Sequence, residues 1–149
     1  MIDSFTNLFD FLSNFHECSV TYEGLTYKNS EAAFHAQKTL DPNIRCKFID
    51  LNPSEAKKLG RKIQLREDWE NVKDHIMYKI CLAKFTQNPH LKRKLIMMTG
   101  NQLLEEGNYW HDNYWGNCHC LKCKNIKGQN KLGKILMRIR EELRECSML

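Results

Sequence analysis

Apolar residues recur at helical spacing in two long stretches of this chain. Trp69, Val72, Ile76 and Ile80 share a face with lysine and aspartate between them, predicting a helix from about Glu67 to Gln87. Leu132, Ile135, Leu136, Ile139 and Leu143 form a second stripe, with Arg138, Arg140 and Arg144 off it, predicting a last helix from about Lys131. Near the N-terminus the period drops to two. Val20 and Tyr22, then Leu25 and Tyr27, flank Glu23-Gly24, the pattern of a short hairpin. Ser30 reads as the cap of a helix over Glu31–Leu40, which Asp41-Pro42 ends. A further helix is expected across Ile44–Leu51, and Asn52-Pro53-Ser54-Glu55 announces another through a capping box with proline at its first position. Asn88-Pro89 breaks the long helix, and a shorter one runs to Met98 before Gly100. From Gly107 to Gly128 neither period holds, so a long loop is expected, which a compact domain keeps for a functional reason. The expected fold is mainly α (α+β): a single compact multi-helical domain over residues 1–149 with a small N-terminal β-hairpin.

Composition narrows the class. Hydrophobic residues make up 42% and charged residues 28%, which argues against disorder. No apolar run approaches the roughly 18 residues that span a membrane. Met1-Ile2-Asp3-Ser4 lacks the features of a signal peptide, so a cytoplasmic protein is expected. Seven cysteines, an odd number, then argue against a disulfide framework. Cys18, Cys46, Cys81 and Cys146 are scattered and read as free thiols. The net charge of +5 is spread along the chain, mostly on faces turned to water, as in Lys92-Arg93-Lys94. It favours a phosphate-bearing ligand and permits nucleic acid without implying it. No dimer seam is visible, so a monomer is expected.

Three groups of residues carry candidate chemistry. Glu31, His35 and Lys38 are spaced by four and three, which puts them on one helix face. They form either a solvated polar face or one wall of a pocket bearing an acid and a cation. Glu106–Trp115 interleaves Tyr109, Trp110, Tyr114 and Trp115 with carboxylates, amides and a histidine, offering flat faces beside hydrogen-bonding groups to a base or sugar. After it, Asn130 is placed to cap the last helix, whose free N–H groups suit a phosphate. Cys118, His119, Cys120 and Cys123 supply soft ligands in six residues. Zinc would still need a distant ligand such as His111, His16 or Cys18, so reduced thiols are the default and no metal is assigned.

Together these blocks resemble the NADAR, or YbiA-like, family. The resemblance runs from Phe11-Leu12-Ser13-Asn14-Phe15 through Ser30-Glu31-Ala32-Ala33-Phe34-His35-Ala36-Gln37-Lys38 and Leu65–Lys73. It continues in Asp112-Asn113-Tyr114-Trp115-Gly116 and Gly128–Gly133, and closes at Leu136–Arg140. The resemblance implies a mainly α enzyme that hydrolyses an N-glycosidic bond to ribose and uses no cofactor. The substrate it implies is a small phosphorylated ribosyl compound, a ribosylamino-pyrimidine phosphate of riboflavin synthesis. The alternatives are ADP-ribose on guanine, in which nucleic acid is the substrate, and a non-catalytic NAD or ADP-ribose binder. Glu31 matches the family's essential glutamate, and Asp112 is the second catalytic candidate. Asp112, Trp69 and Trp115 match positions associated with the pocket, and Lys38 and Asn14 fall in motif positions near it. With Asn130 added, the substrate-binding candidates are Asn14, Lys38, Trp69, Trp115 and Asn130. Lys38 would bind phosphate or engage an opened sugar as a Schiff base. The Cys118–Cys123 stretch departs from the pattern and leaves the pocket motifs intact.

Overall fold

Glu23 and Gly24 hold φ of 51° and 82°, the left-handed pair that a two-residue hairpin turn needs. They join β1 (Glu17–Tyr22) to β2 (Leu25–Asn29), with Val20 opposite Tyr27 and Tyr22 opposite Leu25. Alternation buries Val20 and Tyr27 on one face, as the period of two requires. This computed structural model describes residues 1–147, and its backbone contacts divide the chain into two units. The central unit is Asn14–Leu91; the terminal unit joins Met1–Ser13 to the segment beginning at Lys92.

In the central unit the hairpin runs directly into α1 (Ser30–Ala36). The cap of this helix is Asn29, whose side chain accepts from Ala32 N at 2.7 Å; Ser30 instead gives its hydroxyl to Asn14 Oδ1 at 3.0 Å. Ala32, Ala33 and Ala36 are fully buried, and their small side chains let α1 pack closely. The helix also ends earlier than Leu40. Gln37 N and Lys38 N bond three residues back, to Phe34 and His35 carbonyls, and the Gln37 amide turns onto Ala33 O at 3.0 Å. Asp41 caps the short α2 (Pro42–Arg45), and a 3-10 turn, Cys46–Phe48, replaces the longer helix expected to Leu51. Asn52 and Glu55 form the reciprocal capping box of α3 (Pro53–Gly60). The long helix α4 (Trp69–Gln87) buries Trp69, Ile76 and Ile80, as its stripe predicts. It also buries Lys84, at 1% exposure, against the expectation of solvated lysines.

The chain crosses to the terminal unit along α5 (Pro89–Thr99). In the terminal unit Ile2 pairs with Leu104, and Gly107–Asn108 (β3) pairs in parallel with Asn117–Cys118 (β4). The last helix, α6 (Lys131–Ser147), buries Leu132, Leu136, Ile139 and Leu143. Arg140 is not on a solvated face: it is 6% exposed and donates to Thr99 Oγ1 at 2.9 Å and Gln102 O at 2.8 Å. Arg144 likewise reaches Asn101 Oδ1 at 2.8 Å and the Gly100 carbonyl. These guanidiniums tie α6 to the carbonyls exposed where α5 ends. The fold is mainly α with one small antiparallel hairpin. Among the described residues no helix is long and apolar enough to cross a membrane.

Candidate active site

In the central unit the chemistry centres on the start of α1. Glu31 lies in its first turn, where the helix dipole favours a carboxylate. Its side chain is only 12% exposed, and Oε1 stands 2.8 Å from His35 Nε2, one helical turn on. His35 Nδ1 is buried with no hydrogen-bond partner among the described residues. A proton on Nδ1 would bury an unsatisfied donor, so the hydrogen-bond pattern assigns it to Nε2, with Glu31 as the accepting carboxylate. Gly60 of α3 makes room for the ring, because a Cβ there would lie 2.3 Å from His35 Nδ1.

Asn14 anchors this cluster from below. Its carbonyl accepts from Glu31 N at 3.1 Å, Oδ1 accepts from Ser30 Oγ, and Nδ2 donates to Met77 Sδ at 3.4 Å. At 7% exposure its amide is committed to protein, so Asn14 braces the start of α1. Trp69 is 5% exposed and packs on Phe34 with ring centroids 5.2 Å apart, so it supports the helix that carries Glu31. Lys38 is half-buried just past α1, and its carbonyl takes Arg66 N at 2.7 Å. Burial holds its ammonium below the ordinary lysine range; Glu31 opposes this, and Arg61 and Lys73 push the same way as burial. Sequence reasoning missed Arg61 and Lys73, which lie outside the Glu31 helix and show no spacing signal. Three residues therefore meet around Glu31, His35 directly, Asn14 through backbone and Lys38 through charge, while Trp69 packs on Phe34 of the same helix.

The Asp112 loop belongs to the terminal unit. Asp112 Oδ1 accepts from Tyr114 N at 3.0 Å and Trp115 N at 2.9 Å, closing a tight turn. Buried Asn108 holds the same turn from behind, accepting from Asp112 N at 3.1 Å and donating to its carbonyl at 2.8 Å. Trp115 is half-buried and meets Tyr114 edge-on at 4.8 Å, while Tyr109 and Trp110 are exposed at 71% and 60%. The aromatic stretch thus divides into a packed half and a surface half. Asn130 departs from expectation. Its side chain does not cap α6 but bridges Glu106 N at 3.0 Å and Leu104 O at 2.9 Å. The N–H groups of Gln129, Asn130, Lys131 and Leu132 are taken by the carbonyls of Asn113, Gly116, Tyr114 and Trp115. Those donors serve the loop rather than a phosphate. Replacing Asp112 with Ala would strand two backbone donors, an expected cost of about 1–3 kcal/mol. Asp112→Asn keeps the accepting oxygen and should lose less. Urea denaturation of both variants checks this, and equal losses would rule out the acceptor role.

With this geometry in place, the NADAR domain profile matches residues 3–144. The chain belongs to the NADAR domain family. This NADAR chain is 37% identical over 134 residues to the protein named N-glycosidase YbiA of Shigella boydii, spanning 88% of this chain and 79% of that one. It is 36% identical over 138 residues to a riboflavin biosynthesis protein of Vibrio vulnificus, covering 91% of this chain but 36% of that longer protein. The NMR structure of Escherichia coli YbiA superposes with a TM-score of 0.81 at 33% identity, over 99% of this chain and 89% of the other. The NADAR chain therefore stands among enzymes of the N-glycosidase class and shares their fold.

The Lys38 environment of this NADAR protein has a measurable consequence. Its folded pKa is lowered, so between that value and the ordinary 10.5 the unfolded chain binds more protons. Stability contributed through Lys38 therefore rises with pH across that window. Comparing wild type with Lys38→Met isolates it from other titrating groups. The wild type should gain on the variant from neutral pH to above 10.5, whereas parallel stability curves would show that Lys38 is solvated.

Proposed function

We propose that this protein hydrolyses the N-glycosidic bond of a small phosphorylated ribosyl compound, of the ribosylamino-pyrimidine class used in riboflavin synthesis. The observation carrying this reading is the nearly buried Glu31 carboxylate, held by His35 beside the Lys38 ammonium. Cleavage of a ribosyl C–N bond develops positive charge at the anomeric carbon. A fixed carboxylate in a dry setting stabilises that charge better than one in bulk water. Glu31 also takes the proton of the attacking water, whose oxygen bonds the anomeric carbon while the C–N electron pair leaves with the base. The leaving base acquires a proton, so the products are free base and ribose phosphate.

Lys38, with Arg61 and Lys73 nearby in the same unit, supplies the positive field for the phosphate. Asp112, for the ribose hydroxyls or the proton work, and Trp115, for stacking on the base, are the further candidates that the family resemblance implies. Asn14 and Trp69 act beneath the surface by positioning α1. The names of the Shigella and Vibrio relatives support an N-glycosidase acting in riboflavin chemistry. The test offers purified protein ribosylamino-pyrimidine phosphates and ADP-ribosylated guanine in DNA side by side. Release of base from the first alone supports the proposal. Release from the second alone replaces the substrate, and binding of either without release makes the chain a ligand-binding module.

A further inference from the structure

The three clustered thiols acquire in the fold the fourth ligand that their spacing lacks. His111 Nδ1 lies 3.3 Å from Cys120 Sγ, 3.5 Å from Cys123 Sγ and 4.0 Å from Cys118 Sγ. All four ligand atoms fall within 4.8 Å of one another. We propose that His111, Cys118, Cys120 and Cys123 form a zinc site that staples the Asp112 turn to the segment following it.

Geometry and chemistry both favour an ion. Zinc bonds of about 2.3 Å to sulfur and about 2.0–2.1 Å to nitrogen give tetrahedral N···S edges of about 3.6 Å. The three observed distances bracket that value. Three thiols converging on one imidazole nitrogen are not explained by hydrogen bonding, because a neutral Nδ1 offers a single lone pair. Shared through a metal, that lone pair and three thiolates complete one four-coordinate shell. The donor set excludes calcium and magnesium, which take oxygen ligands, and suits zinc, which takes thiolate and imidazole together.

The surroundings prepare the site. His111 is turned back with φ of 69°, an uncommon conformation for a non-glycine residue. The Asn108 side chain fixes that reversal through Trp110 N at 3.2 Å and Asp112 N at 3.1 Å. His111 N donates to Cys118 Sγ at 3.3 Å, a bond that offsets thiolate charge. Cys118 is placed by the β3–β4 pair, while Cys120 and Cys123 flank a single 3-10 turn. Lys122 lies between Cys120 and Cys123 in sequence, and Lys124 and Lys127 follow them, so positive charge accompanies three thiolates around a divalent ion.

The experiment reconstitutes reduced, full-length protein with zinc under anaerobic conditions, passes it over chelating resin and measures metal by mass spectrometry. One zinc per chain is expected, and Cys120→Ser and His111→Ala should each lose it. A variant with serine at Cys18, Cys46 and Cys146 should keep it, which guards against misfolding as the cause of loss. Cobalt in place of zinc should show intense tetrahedral d–d bands and thiolate charge-transfer absorption. Less than one zinc per chain in the reconstituted wild type overturns the proposal, as does an octahedral cobalt spectrum. Full retention in both ligand variants, or a disulfide among these cysteines in protein kept reduced, overturns it equally. None of these readouts depends on glycosidase activity.

Discussion

Glu31→Gln is expected to lower turnover by roughly a thousandfold, within the range for removing an acid–base group, with little change in melting temperature. The fold tolerates this exchange for a specific reason. Glu31 Oε1 stands 2.8 Å from His35 Nε2, and a glutamine oxygen can occupy that place and accept the same hydrogen. What glutamine cannot do is carry negative charge opposite the developing cation or take a proton from water. The check is initial rate on whichever ribosylated substrate the wild type consumes, beside thermal denaturation of both proteins. Wild-type turnover in the variant would remove Glu31 from the chemistry. Parallel loss of turnover and melting temperature would make it a structural residue.

Gly60→Ala should cost stability through packing alone. The added methyl would lie 2.3 Å from His35 Nδ1, 2.7 Å from Cγ and 3.0 Å from Cβ. The last distance matters most, because a ring can turn away while Cβ moves only with its helix. Overpacking of this kind costs about 1–3 kcal/mol, and it should shift α1 together with the His35–Glu31 pair. Lower melting temperature and lower turnover are therefore expected together. Ser at this position should behave alike, since the clash begins at Cβ. A Gly60→Ala protein with wild-type stability would mean that α1 and α3 pack more loosely than described.

The parts legible in the sequence are those decided within a few residues. The Asn52–Glu55 box closes on itself inside four positions, and Glu23-Gly24 carries its turn chemistry in the two residues that make it. The stripes of α4 and α6 were equally readable, being repeated over several turns. Distant partners decided the rest. Asn29 and Ser30 are both good caps, and Asn14 settles the choice by taking the Ser30 hydroxyl. Arg140 lies off an apolar stripe, yet the Thr99 hydroxyl and Gln102 carbonyl make burial favourable. Spacing by four was enough to bring His35 to Glu31. It also placed Lys38 on the Glu31 side, although α1 tightens and stops at Ala36 and Lys38 sits in the turn after it. Asn130 misled for another reason: an asparagine before a helix usually serves the helix, but here Glu106 and Leu104 claim its amide.

The carbonyls of 113–116 meet the N–H groups of 129–132, so the chain leaves this junction and returns to it. A Cβ on Gly128 would lie 2.5 Å from Asn117 Cα, which shows how closely the excursion shuts behind itself. Between these fixed ends, lengthening the Lys124–Lys127 stretch adds little closure entropy, because that cost grows only slowly with length. An engineer could therefore graft a reporter peptide near Lys124–Lys127 without displacing the Asp112 turn. The detour is a socket in which new segments can be tried while the glycosidase machinery is kept.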